Sequence, residues 1–322
     1  MSTVRPGQPT FLSLGLTPAL QRTLILDRFQ VGGVNRAREI RLSAAGKGVN
    51  VGMALARLGG RAWVTGFIGG DSGRTVERDA RSRGAMPAFT RQAANTRVCD
   101  TIVDRATGTV TELVEEAPPI GAAHLARFMK AALALERRCD GLAISGTVPP
   151  SLAGRAVYIP FAELAQQLNL PWVIDSHRGD LQAVLAFRPL VAKMNVEELA
   201  GTFPMRGRGG RAILAAARRL TAAGARHAFI TDGPRPAWLV ADDGRAWTIN
   251  PPDAGPVVNP IGSGDCVTAA LLDAIWRGRS VLQAARYGLA CGSANTITPI
   301  PARFDPEPLE RLARAAAATR IA

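Results

Sequence analysis

A glycine-rich turn with a carboxylate beside it lies late in the chain, at Gly262-Ser263-Gly264-Asp265. Pro260, just before the turn, has no N–H to give to a sheet and favours extended backbone at the residue that precedes it. After the turn, apolar residues recur at helical spacing from Cys266 to Trp276. The pattern predicts a tight turn that opens a helix, with Asp265 in the first turn.

The first turn of a helix has unpaired backbone N–H groups and about half a unit of positive charge, which together suit an anion. A carboxylate beside such a site can take the proton of a hydroxyl while the amides hold the charge of a moving phosphoryl group. Gly262, Ser263, Gly264 and Asp265 are therefore candidates for phosphoryl-transfer catalysis, with Asp265 as the base. The same residues also fit an ordinary turn with an aspartate that caps the helix.

A second glycine loop, Ala45-Gly46-Lys47-Gly48-Val49-Asn50, lies near the start of the chain. It leads into a predicted helix from Val51 to Leu58, which two glycines end. Such a loop lets a ligand come close to the backbone. A plain turn before a helix has the same residues, so the loop by itself leaves both interpretations open.

From Gly121 onward, predicted strands alternate with predicted helices of about ten or more residues, which indicates right-handed crossovers and parallel strands. The predicted fold is α/β, with a largely parallel sheet covered by helices on both faces. Ligands of such sheets bind beyond the carboxyl ends of the strands. Polar residues follow nearly every predicted strand: Ser145-Gly146-Thr147, Asp175, Lys193-Met194-Asn195, Thr231-Asp232-Gly233 and Asn259.

Shorter segments interrupt this alternation. Residues 21–26 and 36–42 have the pattern of half-exposed strands, and residues 89–103 and 109–115 that of a hairpin. A second hairpin is predicted at 238–250, and the last helix at 306–318. The chain has no internal repeat and no low-complexity linker. One domain with a small protruding lid is the economical interpretation.

Composition limits the kind of protein. The 322 residues carry a formal net charge of +13, but the basic residues are spread out rather than forming a run, which argues against nucleic-acid binding. The four cysteines are scattered without a CxxC pair, as in a protein of a reducing compartment. No apolar run is long enough to span a membrane and no export signal is evident, so we expect a cytoplasmic protein.

Lysine is rare in this chain. Only three of the 39 basic residues are lysine, and the other 36 are arginine. Two of the lysines, Lys47 and Lys193, fall among the glycine loops and the polar strand ends described above. Because guanidinium and ammonium groups are not interchangeable in tight sites, a lysine kept in such a chain indicates a place where arginine does not fit.

Taken together, these segments resemble the ribokinase and minor-phosphofructokinase family of carbohydrate kinases, from about Thr10 to about Thr298. The turn at Gly262 to Asp265 looks like the family's C-terminal signature, and the loop at Gly46 to Asn50 looks like its N-terminal one. Further stretches are similar to the hexose-phosphate branch, which comprises 1-phosphofructokinases and tagatose-6-phosphate kinases: Thr17-Pro18-Ala19-Leu20, Gly32-Gly33-Val34-Asn35-Arg36, Ser145-Gly146-Thr147-Val148-Pro149-Pro150 and Lys193-Met194-Asn195-Val196-Glu197-Glu198.

The resemblance implies a three-layer ribokinase-like α/β fold over residues 1–322, with a β lid formed by about 17–45 and 89–116. It implies a kinase that uses ATP and Mg²⁺ to phosphorylate a hydroxyl of a sugar phosphate, most simply fructose 1-phosphate, fructose 6-phosphate or tagatose 6-phosphate. A homodimer through the exposed strands of the lid is expected, because proteins generally cover such edges.

The resemblance also implies roles for individual residues. Asp265 would be the base, and Gly262, Ser263 and Gly264 would form the anion hole with it. The residues implied for the substrate are Gln21, Gly46, Gly48 and Asn50 for the sugar, with Arg36, Lys47, Arg97 and Thr147 for its phosphate. Those implied for the nucleotide are Lys193, Thr231, Gly233, Asn259, Gly288 and Asn295. Asn195 and Glu198 would hold Mg²⁺, mostly through water.

The chain departs from the family pattern at several positions. Gln21 stands where an aspartate usually contacts sugar hydroxyls, so the sugar can differ or bind more weakly. Gly52, Met194 and Pro260 are milder departures that leave the phosphoryl-transfer residues intact. Two alternatives therefore stay open, a kinase of an unphosphorylated sugar or nucleoside and an inactive sugar-phosphate sensor.

Overall fold

The structure, a computed structural model, describes residues 7–207 and 209–321. The sequence predicts one domain over residues 1–322, of which residues 1–6, 208 and 322 lie outside the described residues. In the described part the strands are β1 Thr10–Leu14, β2 Ala19–Leu26, β3 Glu39–Ala45, β4 Arg61–Val64, β5 Phe67–Ile68, β6 Met86–Pro87, β7 Thr90–Arg91, β8 Val98–Asp104, β9 Thr109–Val114, β10 Gly141–Ser145, β11 Trp172–Asp175, β12 Val191–Asn195, β13 His227–Asp232, β14 Arg235–Ala241, β15 Ala246–Ile249 and β16 Ala318–Arg320.

Helices connect most of these strands. The α-helices are α1 Lys47–Arg57, α2 Gly70–Ser82, α3 Ala122–Glu136, α4 Ile159–Gln167, α5 Arg178–Gln182, α6 Val196–Thr202, α7 Gly210–Ala222, α8 Ser263–Trp276, α9 Val281–Thr296 and α10 Leu309–Ala315. Short 3₁₀ turns occur at Pro150–Leu152 and Leu185–Phe187. None of the helices in the described part of the chain is long and apolar enough to cross a membrane.

The main sheet has ten strands in the order β16-β15-β14-β13-β12-β11-β10-β1-β4-β6. The seven strands from β13 to β6 run parallel to their neighbours, while β14, β15 and β16 are antiparallel additions at one edge. The prediction of a mostly parallel α/β sheet is confirmed. Because these strands are parallel, their carboxyl ends share one edge of the sheet.

Successive residues of a strand point to opposite faces, so buried strands supply two cores. In β10, Leu142 and Ile144 join the core that includes α3 to α7, whereas Ala143 joins the core that includes α1, α2, α8, α9 and α10. Both faces of the sheet are thus covered, as the continuous apolar character of its strands requires. Helix α8 is buried almost all round, from Asp265 to Ala274.

Glycine contacts let α1 start close to the sheet. A Cβ atom on Gly48 would lie 2.7 Å from the Cα of Gly15, at the end of β1. A Cβ on Gly52, one turn further along α1, would lie 2.0 Å from Cγ1 of Val64. The close packing of α1 on β1 and β4 therefore accounts for glycine at position 52, where the resembling sequences have a small helix former.

A separate four-stranded sheet has the order β3-β2-β8-β9, and we call it the small sheet. Its β8–β9 hairpin turns between Asp104 and Thr109, as the sequence predicted. One face of the small sheet carries the exposed apolar side chains of Ile40, Leu42 and Leu113. The opposite face buries polar groups, among them Gln21, whose amide donates to Thr101 Oγ1 at 2.5 Å.

The predicted last helix and the predicted strand over residues 89–103 were wrong in part. The last helix ends at Ala315, and residues 318–320 form β16 instead of continuing it. The reason is tertiary, because β15 offers an open edge to which these residues pair. The predicted strand over residues 89–103 is two strands, since Thr90 and Arg91 pair with β5 while Val98 to Asp104 belong to the small sheet.

A buried carboxyl group lies at the end of α3, away from the strand ends. Glu136 has no exposed surface, and neither of its carboxyl oxygens has a hydrogen-bond partner among the described residues. Burial raises the pKa of Glu136 to about 8 from its ordinary 4.5. Because the folded chain binds this proton more tightly than the unfolded chain, Glu136 makes the protein less stable as pH rises across that interval.

Replacing Glu136 with glutamine should remove this pH dependence, since the amide has no proton to lose. We expect the free energy of unfolding of the wild type to fall relative to that of Glu136→Gln as pH rises from 4.5 to about 8. Urea denaturation at several pH values measures the difference. The matched control is Glu163→Gln on the exposed face of α4, which should track the wild type. Parallel curves for Glu136→Gln and the wild type would contradict the assignment.

Candidate active site

The carboxyl ends of the central strands collect polar groups at one edge of the main sheet. Asp175 is the last residue of β11 and Asn195 the last of β12, and Thr231 lies opposite Asn195 on β13. Helices α1 and α8, which the two glycine loops open, both begin at this edge. The structure therefore brings together residues that are more than 200 positions apart in the chain.

Asp265 lies in the first turn of α8 and is 7% exposed. The helix begins at Ser263, three residues before the apolar pattern starts at Cys266, and follows Gly262, whose φ of 78° suits glycine. No side chain caps this helix start. Asp265 instead accepts a hydrogen bond from the side-chain amide of Asn50, with 2.7 Å between Asn50 Nδ2 and Asp265 Oδ2. The two glycine loops thus meet through this contact, and the interpretation of Asp265 as a helix cap is not needed.

The surroundings of Asp265 place its pKa near neutrality. Burial and the neighbouring carboxylate of Asp175 raise the pKa of Asp265 to about 7, although Lys47, Lys193 and the hydrogen bond from Asn50 act in the opposite direction. A carboxylate with this pKa can both take up and release a proton near neutral pH. That property is what general-base catalysis requires.

Asp175 organises the centre of the site. It is fully buried and accepts hydrogen bonds from Lys47 at 2.9 Å, Lys193 at 2.8 Å and Thr268 at 2.9 Å. Burial by itself raises the pKa of Asp175, but the ammonium groups of Lys193 and Lys47 outweigh it and hold the pKa well below its usual range. Asp175 is therefore a permanent negative charge between two lysines. From the sequence, Asp175 was only one of several polar residues predicted at the ends of strands.

Lys193 lies directly under the start of α8. Its side chain is 4% exposed, and a Cβ atom on Gly264 would lie 2.8 Å from Lys193 Nζ. Glycine at position 264 thus leaves the space that the ammonium group occupies. The ammonium charge adds to that of the uncapped helix terminus, and together they favour an anion at this point.

Lys47 connects two groups of residues for which the sequence implied different roles. Its ammonium nitrogen lies 2.6 Å from Glu198 Oε1 as well as 2.9 Å from Asp175. Burial lowers the pKa of Lys47, but Asp175 and Glu198 outweigh it and raise the pKa well above its ordinary value. The residue implied for the substrate phosphate is thus paired with a residue implied for the metal.

Asn195 and Glu198 form a reciprocal capping box at the start of α6. Asn195 Oδ1 accepts from the Glu198 backbone N–H at 2.8 Å, and Glu198 Oε2 accepts from the Asn195 N–H at 2.9 Å. The described residues include no group of three acidic, histidine or cysteine side chains able to hold a metal by themselves. Two hard oxygen donors at a solvent-facing strand end nevertheless fit Mg²⁺, which keeps most of its water and binds substrate phosphates.

A cleft of about 760 Å³ adjoins Asn195. Thr231 and Gly233 line it at the end of β13, and Trp238 and Gly210 form other parts of its wall. Its size and its position beside the strand ends fit a nucleotide. Of the six residues that the sequence implied for the nucleotide, these two face such a cleft.

Three others of the six lie within the structure rather than on a cleft. Asn295 is fully buried and donates to the Ile261 carbonyl and to Ser263 Oγ, both at 3.0 Å. Asn259 accepts from the Ile261 N–H at 3.0 Å and donates to the Pro299 carbonyl. Gly288 lies in α9 where that helix packs on α8. In this structure the side chains of Asn259 and Asn295 support the glycine turn through these hydrogen bonds.

The remaining residues implied for the substrate lie on several different segments of the chain. Gly46, with φ of 100°, directly precedes α1, and Gly48 packs on Gly15. Arg97 donates to the carbonyl oxygens of Thr17 at 3.1 Å and Glu115 at 3.2 Å. Thr147 is half-buried after β10, whereas Arg36 is exposed on the loop between β2 and β3.

Comparison with known proteins identifies the family of this chain. The family model for pfkB family carbohydrate kinases matches residues 13–299. A 1-phosphofructokinase of Rhodobacter capsulatus is 31% identical over 308 residues, which are 94% of this chain and 95% of that protein.

Solved structures share the fold. A possible 1-phosphofructokinase of Thermotoga maritima superposes with a TM-score of 0.87 at 21% identity, over 97% of this chain and 100% of that one. Phosphofructokinase-2 of Escherichia coli in complex with fructose-6-phosphate gives 0.80 at 21% identity, over 95% and 98%. Ribokinase of Arabidopsis thaliana complexed with ribose and ATP gives 0.74 at 17% identity, over 96% and 99%. The architecture is ribokinase-like, as expected, and the chain belongs to the pfkB family of carbohydrate kinases.

Proposed function

We propose that the protein transfers the γ-phosphoryl group of ATP to a hydroxyl of a ketohexose phosphate, namely fructose 1-phosphate, fructose 6-phosphate or tagatose 6-phosphate. The observation that carries this proposal is the buried Asp265 at the uncapped start of α8, held by Asn50 beside two ammonium groups. The 31% identical relative named 1-phosphofructokinase supports a phosphorylated ketohexose as the substrate.

In the proposed reaction Asp265 takes the proton of the attacking hydroxyl, and Asn50 keeps the carboxylate oriented. The backbone N–H groups at Gly262 to Asp265, together with Lys193, offset the charge that spreads over the phosphoryl oxygens. Asn195 and Glu198 would hold Mg²⁺, which would supply positive charge to offset that of the phosphates. Thr231 and Gly233 would border the nucleotide in the adjoining cleft.

A second phosphate, already present on the substrate, gives a reason for the cationic groups on the sugar side. Lys47 and Arg97 lie near the Gly46 loop, and we assign Arg36 and Thr147 to the same phosphate. Arginine suits this task because its guanidinium binds phosphate oxygens in pairs. The small sheet would act as the lid over the sugar, with Gln21 on its inner face.

The exposed face of the small sheet supports an oligomer. Ile40, Leu42 and Leu113 are exposed apolar side chains on this face, and a homodimer that pairs lid to lid would cover them. One form of phosphofructokinase-2 of Escherichia coli is tetrameric. We propose the cytoplasm as the location, which fits an enzyme that uses ATP and carries free cysteines.

One observation leaves a different sugar open within the same class. Gln21 is uncharged, and its amide donates to Thr101 Oγ1. A kinase of a neutral sugar or nucleoside is the alternative, in which case Arg36, Lys47 and Arg97 would have no phosphate to bind. An inactive sugar-phosphate sensor is a weaker candidate, because the contact between Asp265 and Asn50 is intact.

A substrate panel with detection of ADP distinguishes these functions. We expect turnover with at least one of fructose 1-phosphate, fructose 6-phosphate and tagatose 6-phosphate, and little with ribose, fructose or nucleosides. Turnover of neutral acceptors alone would refute the sugar-phosphate assignment. Binding of a sugar phosphate without any ADP release would instead support the sensor.

Replacing Asp265 with asparagine should remove the base while keeping the size of the side chain. We expect kcat to fall by on the order of 10²–10⁴-fold, the usual contribution of a general base. Release of ADP measures kcat, and circular dichroism checks the fold. Asp243→Asn, on the exposed hairpin between β14 and β15, is the matched control and should keep full activity. Near-normal turnover by Asp265→Asn would overturn the mechanism.

The rate should depend on pH through Asp265. Since the base acts only when deprotonated, kcat/KM should rise with pH through an apparent pKa of about 7. In Asn50→Ala the midpoint should move to higher pH, because the hydrogen bond from Asn50 lowers the pKa of Asp265. The pH profile of kcat/KM for both proteins provides the measurement. A midpoint that is the same in both proteins would contradict the role given to Asn50.

A further inference from the structure

Two ligands, the metal and the phosphate of the substrate, would each require Lys47 to leave its present position. Its ammonium nitrogen lies between two carboxylates, 2.6 Å from Glu198 Oε1 and 2.9 Å from Asp175 Oδ1. Glu198 is the acidic member of the pair assigned to the metal, and Lys47 itself is assigned to the phosphate of the substrate. One cation thus stands at the meeting point of both assigned sites.

Both oxygens of Glu198 already have partners. Oε2 accepts from the backbone N–H of Asn195 at 2.9 Å, and Oε1 accepts from Lys47. A divalent cation that approaches Glu198 therefore meets an ammonium group on the oxygen it would bind. Two positive charges on one carboxylate repel each other, and this repulsion is strong in a partly buried site.

Lys193 does not have the same position, although it binds the same aspartate. Its side chain is 4% exposed and its ammonium lies against Gly264 and Asp175 Oδ2. The side chain of Lys47 is 34% exposed, so it is much more open to solvent than that of Lys193. Lys193 is thus enclosed by the site, and Lys47 is the lysine that a ligand can reach.

Lys47 also borders a narrow recess of about 10 Å³. Thr17, Gly48 and Ser145 line this recess with Lys47. Ser145 is 1% exposed, and its hydroxyl oxygen has no hydrogen-bond partner among the described residues. An unpartnered buried hydroxyl next to the lysine can accept a hydrogen bond when the ammonium leaves Glu198.

We propose that Lys47 blocks the divalent-metal site of the substrate-free protein and is drawn away from Glu198 by the phosphate of the bound sugar. The dianion replaces Glu198 as the partner of the ammonium, and Glu198 becomes free for the metal. Lys47 is in this view a positioning residue that couples two binding events. The inference rests on the proposed function, because it takes the phosphate-bearing substrate from there.

The coupling has a consequence for specificity. Without a sugar phosphate, the metal that ATP needs is bound weakly, so little ATP is held ready to react with water. A neutral sugar lacks the charge that moves Lys47 and leaves the metal site blocked. The same ammonium thus selects for a phosphorylated substrate and restrains wasteful hydrolysis.

Binding of Mn²⁺ alone, followed by electron paramagnetic resonance of the free ion, tests the coupling in the wild-type protein without nucleotide. Mn²⁺ is a probe for hard oxygen sites that also take Mg²⁺. Saturating fructose 6-phosphate, fructose 1-phosphate or tagatose 6-phosphate should tighten Mn²⁺ binding by about 5–150-fold, the usual range for coupled sites. Fructose should leave the affinity unchanged, and a protein-free titration corrects for metal bound by the sugar phosphate itself.

Removing the ammonium should reproduce the effect without any sugar. We expect Lys47→Met to bind Mn²⁺ several-fold more tightly than the wild type, with no further gain from a sugar phosphate. The matched control is Lys130→Met, which changes the exposed lysine of α3 and should behave as the wild type. In the Lys47→Met background, Glu198→Gln should abolish the tight binding and so locate the site at Glu198.

The proposal is overturned if sugar phosphates leave the Mn²⁺ affinity of the wild type unchanged, or if folded Lys47→Met binds Mn²⁺ no more tightly than the wild type. Thermal melting shows whether the variant is folded, and the wild-type titrations decide the question without it. Failure of the proposed function is distinguishable. If the substrate panel shows turnover of neutral sugars only, the sugar-free comparison of Lys47→Met with the wild type still tests whether Lys47 blocks the metal.

Discussion

The carboxylate of Asp175, buried between two ammonium groups, is the constraint on which the rest of the site depends. A lone buried charge is costly, and it persists here because Lys47, Lys193 and Thr268 all donate to it. Asp175 also holds Lys193 in its buried position, pairs with Lys47 and raises the pKa of Asp265. Removal of either lysine would leave the aspartate undercompensated, so the three charges form one unit.

The fold explains how this unit is assembled. Parallel strands end at one edge of the main sheet, which places Asp175 and Lys193 side by side on β11 and β12. Helices α1 and α8 start at that edge because Gly48 and Gly264 let their first turns come close to Gly15 and Lys193. A side chain at either glycine would push the helix start away. The absence of a Cβ atom at these two glycines is therefore what allows the site to form.

Much of the fold was predictable because its patterns are local. Strand and helix alternation from Gly121 and the β8–β9 hairpin follow from apolar periodicity and turn residues, and both are present. Strand β16 was not predictable, because residues 318–320 leave the helical pattern only to pair with the free edge of β15. The pairing of the two-residue strands β5 and β7 with each other was not predictable for the same reason. Their pairing depends on neighbours distant in sequence rather than on their own residues.

For the site, the sequence by itself determined which chemical groups are present: a carboxylate at a glycine turn, an amide at a second glycine loop and two of only three lysines. The tertiary structure alone decided which of these groups touch. In the folded chain Asn50 binds Asp265, Lys47 binds Glu198, and Asp175 lies at the centre of the site. Asn259 and Asn295 form hydrogen bonds that support the glycine turn. The reason is physical, since distances between residues far apart in the chain, and the burial that sets their pKa values, exist only once the sheet and helices have packed.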